Sequence, residues 1–172
     1  MHILNYFFTP FGIALILFAI FFSQPEKDIT YISLFILLIQ FLTNFYISKN
    51  IYKFSHMQKV RTALVLFNII TTIFIFYFLS PYWAPMWLLF IIPPATASMF
   101  MKKTGTFLTA LFSALSMMGV YAFRSYVIDA EMPLQLIAMA SCQALFIVAF
   151  SMFLNSMSNM IVKMRDNLAK RI

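Results

Sequence analysis

Residues 62–101 read TALVLFNIITTIFIFYFLSPYWAPMWLLFIIPPATASMFM, forty positions without one ionisable acid or base among Asp, Glu, Lys, Arg and His. A helix rises about 1.5 Å per residue, so about 20 apolar residues cross a hydrocarbon core about 30 Å thick. Forty suffice for two crossings, and Ser80-Pro81-Tyr82 stands near the middle. Proline removes a backbone donor and drives the preceding residue out of helical geometry. The stretch therefore predicts a helical hairpin, with spans over Thr62–Ser80 and Tyr82–Met101.

The same reasoning carried outward finds four further charge-free runs: Met1–Pro25, Ile29–Ser48, Thr104–Phe123 and Met132–Val162. They predict spans over Ile3–Ser23, Thr30–Ser48, Thr104–Phe123 and Pro133–Val162. Leu15–Phe22 and Phe35–Ile39 are apolar on every side, whereas a barrel strand alternates apolar and polar positions. Met1–Pro25 lacks the basic start and small-residue cleavage site of a secretory signal, and is read as a retained helix. The expected fold is all-α: a polytopic membrane protein, a six-transmembrane-helix bundle over residues 1–162 with a basic extension of the last helix over 163–172. Composition agrees. The 172 residues are 63% hydrophobic and 10% charged, far from the roughly 45–50% and 25% of soluble domains. A single cysteine excludes a disulfide framework or a thiolate metal cluster.

Basic residues set the orientation. Lys49, Lys53, Lys59, Arg61, Lys102, Lys103, Lys163, Arg165, Lys170 and Arg171 fall in the second loop, the fourth loop and the tail. The other loops hold only Lys27 and Arg124, mixed with Glu26, Asp28, Asp129 and Glu131. The positive-inside rule then places both termini in the cytoplasm. Tyr82, Trp83 and Trp87 fall at the outer interface, and Tyr46 and Tyr52 near the inner one. Lacking eukaryotic targeting features, the chain fits a bacterial inner membrane. The net charge of +7 is read as attraction to anionic lipid heads rather than to nucleic acid, for which no motif is present.

The predicted spans contain no Asp, Glu, Lys, Arg or His, which argues against proton pumping, voltage sensing and most ion-coupled transport. No phosphate loop, zinc motif or nucleophile elbow occurs, so no enzyme, cofactor or metal is expected. His2 and His56 sit at the boundary, Asp129 and Glu131 in a solvated loop. Cys142, between Ser141 and Gln143, is read as a small packing residue.

Uncharged polar side chains remain. Gln40 and Asn44 share a helix face at i, i+4. Counted from the flanking basic residues at about 1.5 Å per residue, Asn44, Gln40, Asn68 and Asn155 lie about 7, 13, 10 and 12 Å deep. All four amides are expected in one layer of the cytoplasmic half, bonded across helices either as structural glue or as the wall of a ligand pocket. Thr106, Thr109, Ala110, Ser113, Ala114, Ser116 and Gly119 give the fifth helix a small-residue face for close packing. Pro93-Pro94 should kink the fourth.

Residues 133–162 would extend about 45 Å as helix, more than the bilayer core needs. Leu154, Met157, Ile161, Met164 and Leu168 recur at spacings of three and four, an a/d pattern of two heptads. This end either lies along the membrane surface or stands as a stalk, in which case Ile161, Met164 and Leu168 meet a partner helix.

Ser80-Pro81-Tyr82-Trp83-x3-Trp87-Leu88-Leu89, followed by Ile92-Pro93-Pro94 and Lys102-Lys103-Thr104-Gly105, resembles the membrane-embedded sensor region of some bacterial histidine kinases and related signalling proteins. The resemblance covers Ser80 to the end and implies a multi-helix sensor passing into a basic helix. No output domain follows Ile172, so output would come from a partner. The expected function is a non-catalytic membrane subunit or adaptor acting through helix contacts with other membrane subunits or a second copy. The alternative is a small-molecule sensor or transporter substrate-binding subunit, with its pocket at the amides.

Overall fold

The computed structural model describes residues 2–50, 57–127 and 133–169, with side chains over 9–50, 57–127 and 133–167. All regular structure among them is helical: α1 (His2–Ser23), α2 (Lys27–Asn50), α3 (Met57–Leu79), a 3₁₀ segment (Ala84–Ile91), α4 (Ile92–Ser98), α5 (Lys103–Val127) and α6 (Leu134–Ala169). Four of these, α2, α3, α5 and α6, are long and apolar enough to cross a membrane; Thr9–Ser23 and Ala84–Ser98 are shorter apolar stretches.

The hairpin expected from residues 62–101 turns where Pro81 stands, with α3 ending at Leu79. Its second arm departs from expectation. Instead of one kinked span over Tyr82–Met101, the chain forms eight residues of 3₁₀ helix followed by seven of α-helix. The prolines explain this. In a continuous α-helix the N–H groups of residues 93 and 94 would bond the carbonyls of Leu89 and Phe90, and both residues are proline. Leu89 O instead accepts from the Ile92 N–H, one residue nearer, as 3₁₀ geometry requires. Phe90 O accepts from Ser113 Oγ of α5 at 2.7 Å. Pro93 and Pro94 then occupy the first turn of α4, where no intrahelical donor is needed. At about 2.0 Å per 3₁₀ residue and 1.5 Å per α residue, the two pieces together reach about 26 Å. Ser113→Ala should therefore leave a buried carbonyl bare, lowering stability by about 1 kcal/mol. Thermal unfolding in detergent beside an exposed control such as Ser156→Ala would show it.

This irregular arm is the centre of the bundle. Met86 and Phe90 are fully buried, among Ile16 and Ala19 of α1, Phe76 and Leu79 of α3, Met117 of α5 and Ile147 of α6. The Phe76 ring meets Phe90 and Tyr121 edge-on, each at 5.2 Å between centroids. The small-residue face of α5 divides. Thr106, Ala110, Ser113 and Ala114 are buried, whereas a Cβ added at Gly119 would meet nothing within 4 Å. Gly12 of α1 does mark a close approach, since a Cβ there would come within 3.0 Å of Ile92 Cδ1. Cys142 is exposed on α6, not packed as its small size suggested. Its neighbour Gln143 is the buried one, accepting a long hydrogen bond from the Tyr121 hydroxyl.

Two helices stand apart. Packed against α1 and α3, α2 buries only Ser33 fully. The last helix, α6, runs unbroken for 36 residues, about 54 Å. It packs against α4, α5 and the 3₁₀ segment. From Ser156 to Asn167 every side chain except the half-buried Ser158 is exposed.

Hydrogen bonds define the two ends. At one, Ser23 Oγ donates to Tyr82 O at 2.8 Å, Phe22 stacks on Trp83, and Arg124 Nη1 donates to Ser80 Oγ at 3.0 Å. At the other, Asn155 reaches the chain between α4 and α5, and the Arg61 guanidinium lies over the Phe100 ring at 5.8 Å.

Candidate functional site

Polar side chains inside this apolar bundle gather at two centres. The first lies between α2 and α3. Asn44 and Asn68 form a reciprocal amide pair, Asn44 Nδ2 donating to Asn68 Oδ1 at 3.0 Å and Asn68 Nδ2 donating to Asn44 Oδ1 at 3.2 Å. Gln40 Nε2 donates to the same Asn68 oxygen at 3.3 Å. Asn68 is buried and its two partners are half-buried. The i, i+4 spacing on α2 sets Gln40 and Asn44 one turn apart, so a single side chain on α3 meets both.

The three amides face a cavity of about 70 Å³ bounded by α1, α2, α3, the 3₁₀ segment and α4. Thr9, Ser48, Thr72 and Thr96 add hydroxyl-bearing residues, and Gly12, Ile13, Leu89 and Ile92 form apolar walls. Thr72 and Ser48 each follow one of the amides by four residues, so the sequence already held their face. No lining residue is ionisable. After their mutual bonds, one N–H of each amide and the Gln40 carbonyl oxygen have no partner among the described residues. Such a lining suits a neutral hydrogen-bonding group. The volume admits a few waters or one small polar moiety, against about 300–1,000 Å³ for typical small-molecule sites.

Asn155 belongs to the second centre, and the single layer of four amides does not form. Position along each helix says nothing of direction around the bundle. Because α4 and α5 pack against α6, and α2 packs only on α1 and α3, Asn155 cannot reach the other three. It is 1% exposed. Its Nδ2 shares two hydrogens among Ser98 O at 3.1 Å, Met101 O at 3.3 Å and Thr106 Oγ1 at 3.1 Å. Its Oδ1 accepts from Asn159 Nδ2, one turn along α6. Asn155 thereby caps the C-terminal end of α4 and joins it to the start of α5. A helix of seven residues has few carbonyls paired within itself, so an outside donor matters more to it than to a long helix.

No family model, curated protein or solved structure matches this chain.

The expected partner residues lie on the uncovered length of α6. Ile161 is 62% exposed and Met164 53%. Leu168 is helical in backbone, but its side chain falls outside those described, as do His56 and the loop acids Asp129 and Glu131. Residues around Met164 carry little else: Arg165 pairs with Asp166 at 3.3 Å, both well exposed, a geometry that contributes little.

Proposed function

We propose that this chain is a non-catalytic integral membrane subunit, built like a sensor region, that acts through helix contacts made by its last helix. One observation carries the reading. The 36 residues of α6 exceed a core about 30 Å thick by some 24 Å in total, and toward its C-terminal end Met157, Ile161 and Met164 are exposed, bare of any described element. Burying such a side chain contributes about 1.5–3 kcal/mol, so an uncovered row of them favours association.

Six crossings with both termini cytoplasmic are part of the proposal. Ala84–Ser98 starts beside Ser23 and Tyr82 and stops beside Asn155, so with about 26 Å of reach it accounts for one crossing despite its length. Lys49, Lys59, Arg61, Lys102, Lys103 and Lys163 gather toward the Asn155 end, which the positive-inside rule assigns to the cytoplasm of a bacterial inner membrane. The occupant of the α6 row would be another membrane subunit or a second copy.

Changing Met164 and Leu168 together to serine is expected to release the partner while leaving the thermal midpoint of the bundle unchanged. A photo-cross-linker at position 164 in native membranes gives the reading its decisive trial. Adducts with a defined polypeptide support it, and adducts with lipid alone overturn it. The amide cavity favours a second reading, a sensor or transport subunit for a small neutral ligand. Native mass spectrometry after gentle extraction separates the two, by a retained small molecule in one case and a stoichiometric chain in the other.

A further inference from the structure

A second opening, about 470 Å³, lies between α3 and α5. Ile73, Phe74 and Tyr77 form one wall, with Gly119, Val120 and Phe123 on the other. Helices α3 and α5 touch, yet they leave this groove open toward the outside of the bundle. Gly119 helps to make it. With nothing within 4 Å of a Cβ at that position, the glycine does not serve a close helix approach; it leaves room. The lining is almost wholly apolar, and the volume falls among those of sites that bury sizeable apolar ligands, about 300–1,000 Å³.

One end of the groove is charged. Arg124 follows Phe123 and stands one turn beyond Val120, while Ser80 stands three residues beyond Tyr77, just past the end of α3. Arg124 Nη1 donates to Ser80 Oγ at 3.0 Å, so the guanidinium bridges the two walls at their common end. That bond uses one of five N–H donors, and the planar fork that remains matches a phosphate. Among the described residues the one ion pair is Arg165–Asp166, so no described carboxylate neutralises Arg124. When α5 spans, its charge-free run Thr104–Phe123 lies in hydrocarbon, and Arg124 stands at headgroup level.

We infer that the α3–α5 groove is a binding site for an anionic phospholipid, with an acyl chain lying over Gly119 and the phosphate diester held by Arg124. Charge selects this occupant. A partner helix laid in the groove would also cover Arg124 and would need an acid placed to meet it. An anionic phospholipid carries one phosphate at the head of its hydrocarbon chains. The inference rests on the chain lying in a bilayer, and on neither its orientation nor the occupant of the α6 row.

The test uses the full chain in mild detergent, with phosphatidylglycerol of oleoyl and palmitoyl chains titrated and bound lipid counted by native mass spectrometry. One lipid should bind tightly to the unmodified protein. Gly119→Leu places a side chain in the groove, with nothing within 4 Å of its Cβ, and Arg124→Gln removes the charge while keeping a donor for Ser80. Each should weaken that binding at least tenfold, whereas Phe153→Leu on the exposed face of α6 should not. Inorganic phosphate alone at millimolar concentration should not displace the lipid. Wild-type retention of lipid by Gly119→Leu overturns the proposal, and that variant remains informative if Arg124→Gln fails to fold. Displacement by inorganic phosphate, or a cross-linker at position 119 that captures a polypeptide in native membranes, overturns it equally.

Discussion

Asn155→Leu is expected to destabilise the bundle by about 3 kcal/mol, the sum of several interhelical bonds of about 0.6–1.7 kcal/mol each. For a chain of this size that is a fall of roughly 6–12 °C in the thermal midpoint. The variant keeps the volume of the side chain and removes its only donor, so Ser98 O, Met101 O and Thr106 Oγ1 lose a shared partner together. Two of these are main-chain carbonyls at and just beyond the end of α4, and the bonds to Ser98 O and Thr106 Oγ1 are buried. The loss should be seen first as exchange or proteolysis between residues 98 and 103. Asn159→Leu is the control. It loses only its bond to Asn155 Oδ1 from an exposed position and should cost less than 1 kcal/mol. Equal midpoints for the two variants would remove the capping role.

Asn68→Leu should cost nearly as much, about 2–3 kcal/mol, and its effect should be local to α2. Asn68 is 5% exposed and takes part in all three bonds of the amide cluster. Without it Gln40 and Asn44 face the cavity with no partner on α3. Since α2 buries little else, its attachment depends on this face. Thr71→Val next to it should cost under 1 kcal/mol, although Thr71 is also buried. The Thr71 hydroxyl bonds only to Phe67 O and Asn68 O of its own helix, and those carbonyls already have helical partners. Cysteine accessibility along α2, measured with thermal midpoints in detergent, distinguishes the two. Equal midpoints would mean that the amides do not hold α2.

The contrast between the two asparagines shows what the sequence carried. Charge-free runs and Pro81 located α1, α2, α3, α5 and α6 with ends off by up to seven residues, because both signals are local. The pairing of Gln40 and Asn44 with Asn68 was legible as well, from i, i+4 spacing and depth on consecutive antiparallel helices. Asn155 bonds to none of the three amides it was expected to join, because depth says nothing of which helices lie side by side. The 3₁₀ segment was missed for a related reason. Pro93 and Pro94 announce a break, but whether the chain kinks or changes its coil depends on who supplies Phe90 O with a donor. That donor is Ser113, 23 residues away. Leu168 and the loop acids lie outside what the side chains describe, so the end of the α6 row rests on its spacing.

The 3₁₀ segment also bears on how the chain is made. Irregular backbone at membrane depth is tolerated only where protein surrounds it, and here the surroundings include α5 and α6, which are synthesised later. As Ala84–Ser98 leaves the ribosome, neither Ser113 nor Asn155 yet exists to donate a hydrogen bond to Phe90 O or Ser98 O. If Ala84–Ser98 crosses the membrane as proposed, its final coil is expected to form only after α5 and α6 have followed, so that the middle of the chain settles last.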